Sequence, residues 1–215
     1  MRTAVVAGGT GLVGKVLVEQ LLATPAFDRV ATLGRRTTGR THPKLSEYET
    51  DLLAPQVTEV PTDLFCCLGT TIKKAGSQAA FREVDHDMIL SFAKWGRAHG
   101  AIRFFLISSV GADPSSSVFY LRVKGETERD VEALRWGTFY AFRPGMIVGD
   151  RAERRVPEAI AMAAVKILSP LMIGPLRRQH GAEPDLIARA MIGAALRGDQ
   201  GHHVCEYDDF VRLAG

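Results

Sequence analysis

Thr3-Ala4-Val5-Val6-Ala7-Gly8-Gly9-Thr10-Gly11-Leu12-Val13-Gly14 opens the chain with a run of short apolar residues that breaks into glycine and resumes as a helical pattern. Thr3 to Ala7 reads as a buried strand, and Leu12 to Leu22 carries apolar residues at helical spacing. The glycines between them fit G-x-x-G-x-x-G (Gly8, Gly11, Gly14) and also G-x-G-x-x-G (Gly9, Gly11, Gly14). Each has a physical task. Gly8 permits a turn that a side chain would block, Gly11 lets backbone approach a pyrophosphate, and Gly14 lets the helix lie close on the strand. The free N–H groups at the start of the helix then face the phosphates. A strand, this loop and a helix in that order predict a dinucleotide-binding unit at the N-terminus.

The rest of the chain continues the alternation. Val30 to Leu33, Leu64 to Leu68, Ile102 to Ile107 and Thr138 to Phe142 read as strands, the last closed by Pro144-Gly145. Val84 to His99, with Gly100 as a candidate cap, and Phe119 to Leu134 read as helices. Short apolar strands alternating with helices predict an α/β fold with a doubly wound parallel sheet. After Asp150 the alternation weakens. Pro157 to Leu168 and Pro184 to Leu196 read as helices with proline in the first turn. The chain therefore reads as one domain over 1–215. Its core is 1–150, and 151–215 is a short substrate-side region forming a small C-terminal helical extension.

Composition narrows the function. The 215 residues are 46% hydrophobic and 24% charged, ordinary for a globular domain that needs no metal or disulfide. The formal net charge of +3 is too small to argue for nucleic acid, and the basic residues form no stripe with interleaved aromatics. Cys66, Cys67 and Cys205 are too few and wrongly spaced for zinc, which points to a reducing compartment. Cys66 and Cys67 read as small packing residues rather than redox sensors. His202-His203 reads as surface. Arg151, Arg154, Arg155, Arg177 and Arg178 read as solvated loop charges, with an anionic substrate as the sharper alternative. No run reaches the roughly 18 apolar residues of a membrane span, and the N-terminus lacks a signal-peptide pattern, so the expectation is a cytoplasmic protein.

The end of the second strand addresses the choice of nucleotide. Leu33-Gly34-Arg35-Arg36 offers no carboxylate for a ribose 2′-OH, and arginine presents a planar fork to a phosphate. NADP(H) is the expected cofactor, ahead of NAD(H). A second constellation follows Ile107. Ser108 and Ser109 close a strand, at the edge where open α/β sheets bind ligands, and Tyr120 and Lys124 share a helix face at i, i+4. A tyrosine phenol is a poor base at neutral pH. An ammonium about 4 Å away favours the phenolate by up to roughly 4 kcal/mol at an effective dielectric near 20. Such a pair can exchange a proton with a carbonyl or alcohol while a nicotinamide handles hydride.

These residues, with Phe65-Cys66-Cys67-Leu68-Gly69-Thr70-Thr71, Ser108-Ser109-Val110-Gly111-Ala112-Asp113, Tyr120-Leu121-Arg122-Val123-Lys124-Gly125-Glu126 and Phe142-Arg143-Pro144-Gly145, resemble the Tat-interacting protein (oxidoreductase-like) branch of the atypical short-chain dehydrogenases/reductases. The resemblance runs to about Asp150 and more thinly beyond. It implies that Gly8, Gly11 and Gly14 hold the pyrophosphate with Thr10, Leu12 and Val13 beside it, and that Arg35, with Arg36 as second candidate, holds the 2′-phosphate. It puts Asp51 and Leu52, after the third strand, near the adenine. Cys67, Leu68, Gly69 and Thr70 would line the adenosine and ribose, and Pro144 and Gly145 would border the nicotinamide. Ser109, Tyr120 and Lys124 would be the catalytic triad, the last two also touching the cofactor. Two departures stand out: Asp85 where typical members carry asparagine, and little room for a separate substrate domain. The implied function is an NADP(H)-dependent oxidoreductase acting on a small carbonyl compound or alcohol. The alternative is an NADP(H)-binding regulator or scaffold with little turnover and a protein partner. The resemblance also points to a homodimer.

Overall fold

The computed structural model describes residues 1–148 and 181–215. The helix expected over 157–168 and the five arginines between 151 and 178 lie outside them. Among the described residues seven strands form the main sheet: β1 (Thr3–Ala7), β2 (Arg29–Gly34), β3 (Leu45–Glu49), β4 (Asp63–Cys66), β5 (Arg103–Ile107), β6 (Thr138–Phe142) and β9 (Gly201–Cys205). Their spatial order is β3-β2-β1-β4-β5-β6-β9, and every pairing is parallel. A two-stranded parallel pair, β7 (Met146–Ile147) and β8 (Gly181–Ala182), lies apart from it.

Helices cover both faces. On one side pack α1 (Leu12–Ala23), α6 (Pro184–Arg197) and α7 (Tyr207–Ala214), whose Leu17, Leu21, Met191 and Phe210 meet Phe65, Phe105 and Phe142 of the sheet. On the other, α4 (Met88–Ala98) and α5 (Phe119–Glu132) bring Phe92, Trp95 and Val131 against Leu64, Phe104 and Phe139. Phe104 and Phe105 are neighbours in sequence but lie in different cores, as the period of two in a strand requires. The expected doubly wound parallel sheet with a small C-terminal helix is therefore the observed fold.

Three departures from the sequence reading have physical causes. β9 gave no pattern, and β3 was implied only by the resemblance that set Asp51 after a third strand, because both are edge strands with little apolar content: Leu-Ser-Glu-Tyr-Glu is half-buried and Gly-His-His-Val-Cys mostly exposed. The helix expected from Val84 starts earlier. Ser77 caps α3 (Gln78–Arg82) by accepting from the Ala80 N–H at 3.1 Å, and α3 runs through a π-turn, Glu83–Asp87, into α4. Finally, α4 is capped at His99, with Gly100 one place later in the left-handed region at φ +97°.

At the amino edge of the sheet Asp63 is fully buried between two arginines. Arg2 donates to both its oxygens at 2.9 and 2.8 Å, and Arg103 does the same at 2.5 and 2.9 Å. Arg2 also lies over the Phe27 ring, 4.5 Å from its centroid. Among the described residues no helix is long and apolar enough to cross a membrane.

Candidate active site at the carboxyl edge of the sheet

Because all strands run the same way, the loops after β1, β4, β5 and β6 emerge at one edge. The strand order reverses between β1 and β4, so their loops flank the crevice where such sheets take ligands. Gly8 adopts φ +83°, and a Cβ there would lie 2.7 Å from the Cys67 carbonyl carbon and oxygen. The two loops are thus in backbone contact. The Gly11 N–H donates to the Gly8 carbonyl at 2.9 Å, closing the turn, and the exposed Gly11 begins α1. No side chain caps α1 and no acidic residue occupies its first turn, so its partial positive charge is left for a ligand. Thr10 and Leu12 are half-buried beside it, while the Val13 side chain belongs to the core.

Gly14 is the tightest point of the loop: a Cβ would sit 2.1 Å from the Gly8 carbonyl oxygen. Backbone cannot yield as a side chain does. Gly14→Ala is therefore expected to destabilise the protein by about 1–3 kcal/mol or more and to disorder the loop. A lowered denaturant midpoint with reduced nucleotide affinity is the result to look for, and an unchanged midpoint would refute this packing role.

Arg35 and Arg36 follow β2 on the same edge, exposed and without an ion-pair partner among the described residues. Asp51 lies beyond β3, its carboxylate accepting the Leu53 N–H at 2.9 Å, and Leu52 is buried in the core. The Cys67, Leu68, Gly69 and Thr70 loop carries the Thr71 cap of the short α2 (Ile72–Ala75) at its end. Burial pushes the Cys66 thiol up to about 12 and raises that of Cys67 well above its ordinary value, so neither is poised as a thiolate.

Ser109 follows β5, its hydroxyl 3.3 Å from the Val110 carbonyl, and the Val110 N–H donates to the Pro144 carbonyl at 3.2 Å. That contact brings Pro144 and Gly145 beside the serine loop. α5 carries Tyr120 and Lys124. Gly125 admits the loop against the helix, since a Cβ there would meet the Asp113 carbonyl carbon at 2.2 Å. Arg143 pins the far side of α5 to the end of β6 through a forked pair with Glu128, its Nη2 at 2.5 Å from Oε2. Tyr120 is half-buried with its ring 5.5 Å from that of Phe81.

Lys124 is buried, and its Nζ lies 2.9 Å from Oδ1 of Asp85, which is itself fully buried. Burial alone would lower the lysine, but the charges of Asp85 and Tyr120 outweigh it and raise Lys124 above its ordinary value. The structure thus brings Gly8 to Gly14, Cys67 to Thr70, Ser109, Tyr120, Lys124 and Pro144-Gly145 to one edge. Two features were not read from sequence. One is the direct Asp85–Lys124 contact, made by residues 39 positions apart. The other is Ser108, whose buried hydroxyl has no hydrogen-bond partner among the described residues. The Ser-Ser pair was its only signal. His202 and His203 lie on edge strand β9, where His202 Nδ1 is 2.8 Å from Glu132 and His203 Nε2 is 2.9 Å from the Gln200 carbonyl.

No family model matches the chain. Individual proteins do. It is 38% identical to protein HTATIP2 of Rattus norvegicus over 168 residues, covering 74% of this chain and 69% of that protein. It is 34% identical over 213 residues to the mitochondrial protein fmp52 of Emericella nidulans, covering 94% and 90%. The chain belongs to the HTATIP2/fmp52 family of atypical short-chain dehydrogenases/reductases. Among solved structures, the Bordetella bronchiseptica enzyme WbmH, in complex with NAD+, superposes with a TM-score of 0.70 at 17% identity, covering 96% of this chain and 75% of that one. That likeness shows the shared fold.

The HTATIP2/fmp52 relatives correct one expectation. The chain was expected to be cytoplasmic, yet the fungal fmp52 proteins are named mitochondrial.

Proposed function

We propose that the protein is an NADP(H)-dependent oxidoreductase acting on a small carbonyl compound or alcohol. The observation that carries this reading is the buried Lys124 on the same face of α5 as Tyr120, at the sheet edge shared with the glycine loop. The cofactor fits the residues present: α1 is uncapped, Gly11 is exposed, and Gly14 admits no side chain. Gly8, Gly11 and Gly14 would hold the pyrophosphate, Arg35 with Arg36 the 2′-phosphate, and Cys67 to Thr70 the adenosine side. When bound, the dinucleotide supplies or accepts hydride. Ser109 holds the substrate oxygen, Tyr120 exchanges a proton with it, and the Lys124 ammonium favours the phenolate. The NAD+ held by the similarly folded WbmH supports a nicotinamide dinucleotide. The preference for its phosphorylated form rests on Arg35 and Arg36.

Calorimetric titration tests this directly. NADPH is expected to bind more tightly than NADH. Arg35→Ala is expected to weaken NADPH about 10- to 100-fold, the size of one or two charge-assisted hydrogen bonds, with NADH unaffected. Equal affinity for both nucleotides in both proteins would refute the assignment of Arg35. The Asp85 carboxylate on Lys124 favours a second reading, in which the bound nucleotide alters affinity for a protein partner rather than being turned over. Partner capture that is the same with and without NADPH would count against it.

A further inference from the structure

Glu47, on edge strand β3, lies opposite Thr32 of β2 in the parallel register, so the two side chains share one face of the sheet. Its Oε1 accepts the Thr38 N–H at 2.6 Å and the Thr32 hydroxyl at 3.2 Å. Burial alone would raise its carboxyl. Hydrogen bonds from Thr38, Thr32 and Gly39 outweigh burial and hold it below the ordinary carboxylate value, so it is an anion at neutral pH. The same threonines touch the glycine loop: a Cβ on Gly9 would lie 3.2 Å from Thr32 Cγ2 and 3.4 Å from Thr38 Cγ2. The Thr38 hydroxyl also accepts the Arg40 N–H at 3.3 Å, and Arg40 Nη2 donates to Glu19 of α1 at 2.8 Å. At the other end Gly34 closes β2, its carbonyl accepting the Thr50 N–H at 2.9 Å. Arg35, Arg36 and Thr37 are thus an exposed span tied down on both sides.

We propose that Glu47 is a positioning residue for cofactor choice, holding the segment that carries Arg35 and Arg36 against the glycine loop through Thr38. The inference rests on the reading of these arginines as the 2′-phosphate site. An arginine on a free loop loses backbone and side-chain freedom when it grips a phosphate, and one on a fixed loop loses less. The unphosphorylated dinucleotide makes no use of the arginines, so the clasp favours NADPH over NADH. The charge of Glu47 works the other way, because a carboxylate near a phosphate repels it. What Glu47 contributes is therefore geometry: a fixed acceptor for the Thr38 N–H.

Calorimetric titration of the full-length protein with NADPH and with NADH reads the ratio of the two affinities. Glu47→Ala removes the acceptor from a half-buried edge position that belongs to neither hydrophobic core. It is expected to lower that ratio about 10-fold, the size of one hydrogen bond to a charged group, by weakening NADPH and sparing NADH. Glu47→Gln keeps an acceptor without the charge and is expected to restore most of the ratio. A merely structural role would weaken both nucleotides alike or lower only the melting temperature, and either result overturns the proposal. So does a Glu47→Gln protein whose ratio falls as far as that of Glu47→Ala. Should Glu47→Ala fail to fold, Glu47→Met fills the same space without an acceptor and is held to the same ratio. Arg35→Ala, titrated in parallel, separates the two readings. If it lowers the ratio and Glu47→Ala does not, only the role of Glu47 falls. If neither lowers it, the 2′-phosphate assignment falls as well.

Discussion

Tyr120→Phe is expected to reduce turnover by about 10²- to 10⁴-fold, the usual contribution of a positioned general acid or base. The affinity for NADPH should stay nearly intact. The substitution removes one hydroxyl and leaves the ring against Phe81, so α5 and its contacts survive. The companion Lys124→Met differs in kind, because it strands the fully buried Asp85 carboxylate without its cation. It should therefore lower stability as well as turnover. Steady-state kinetics with thermal melts separate the two. A Tyr120→Phe protein that reduces carbonyls at the wild-type rate would remove the tyrosine from the reaction.

Asp63→Asn is expected to cost about 3–5 kcal/mol at neutral pH, the range for breaking a buried ion pair. The aspartate is fully buried, while Arg2 and Arg103 reach it from partly exposed positions, each through two hydrogen bonds. Burial alone would raise its pKa. The hydrogen bonds from Arg2, Arg103 and Thr62 outweigh burial and hold it below the ordinary carboxylate value. A depressed folded-state pKa contributes stability above the unfolded pKa near 3.9, lost as pH falls through the folded value. The stability gap between wild type and Asp63→Asn should therefore be full at neutral pH, shrink below about pH 4 and close in stronger acid. A gap independent of pH would mean that amide packing, not charge, sets the cost. The network lies at the amino edge, opposite the candidate site, so nucleotide affinity should be unchanged.

The sequence was most informative where backbone geometry leaves one residue type. Gly8 and Gly14 mark the loop because neither tolerates a side chain, and that requirement is visible as spacing. The strands through Val5, Phe105 and Tyr140 were legible because both faces are covered, which makes each a continuous apolar run. β3 and β9 lack that covering and lack the signal. The Tyr120–Lys124 pair was readable as an i, i+4 spacing on one helix. Its third member, Asp85, was noted for its type, but its contact with Lys124 depends on a π-turn and on two helices meeting across the sheet face. No local pattern encodes that. The compartment expectation failed for a different reason: unpaired cysteines mark no single compartment, and the fungal relatives are named mitochondrial.

The packing of α6 on α1 has a consequence for how the chain is made. Leu17 and Leu21, behind the glycine loop, are buried together with Ala188, Met191 and Ile192. As the ribosome delivers residues in order, the helix that presents the phosphate-facing turn can meet the sheet early but lacks its cover from α6 until about 170 further residues have been added, as the numbers of these positions show. The helix behind the glycine loop is thus fully covered only by one made much later. A nascent or C-terminally truncated chain would expose that stripe and be a natural target for chaperones and proteases before it could hold a nucleotide.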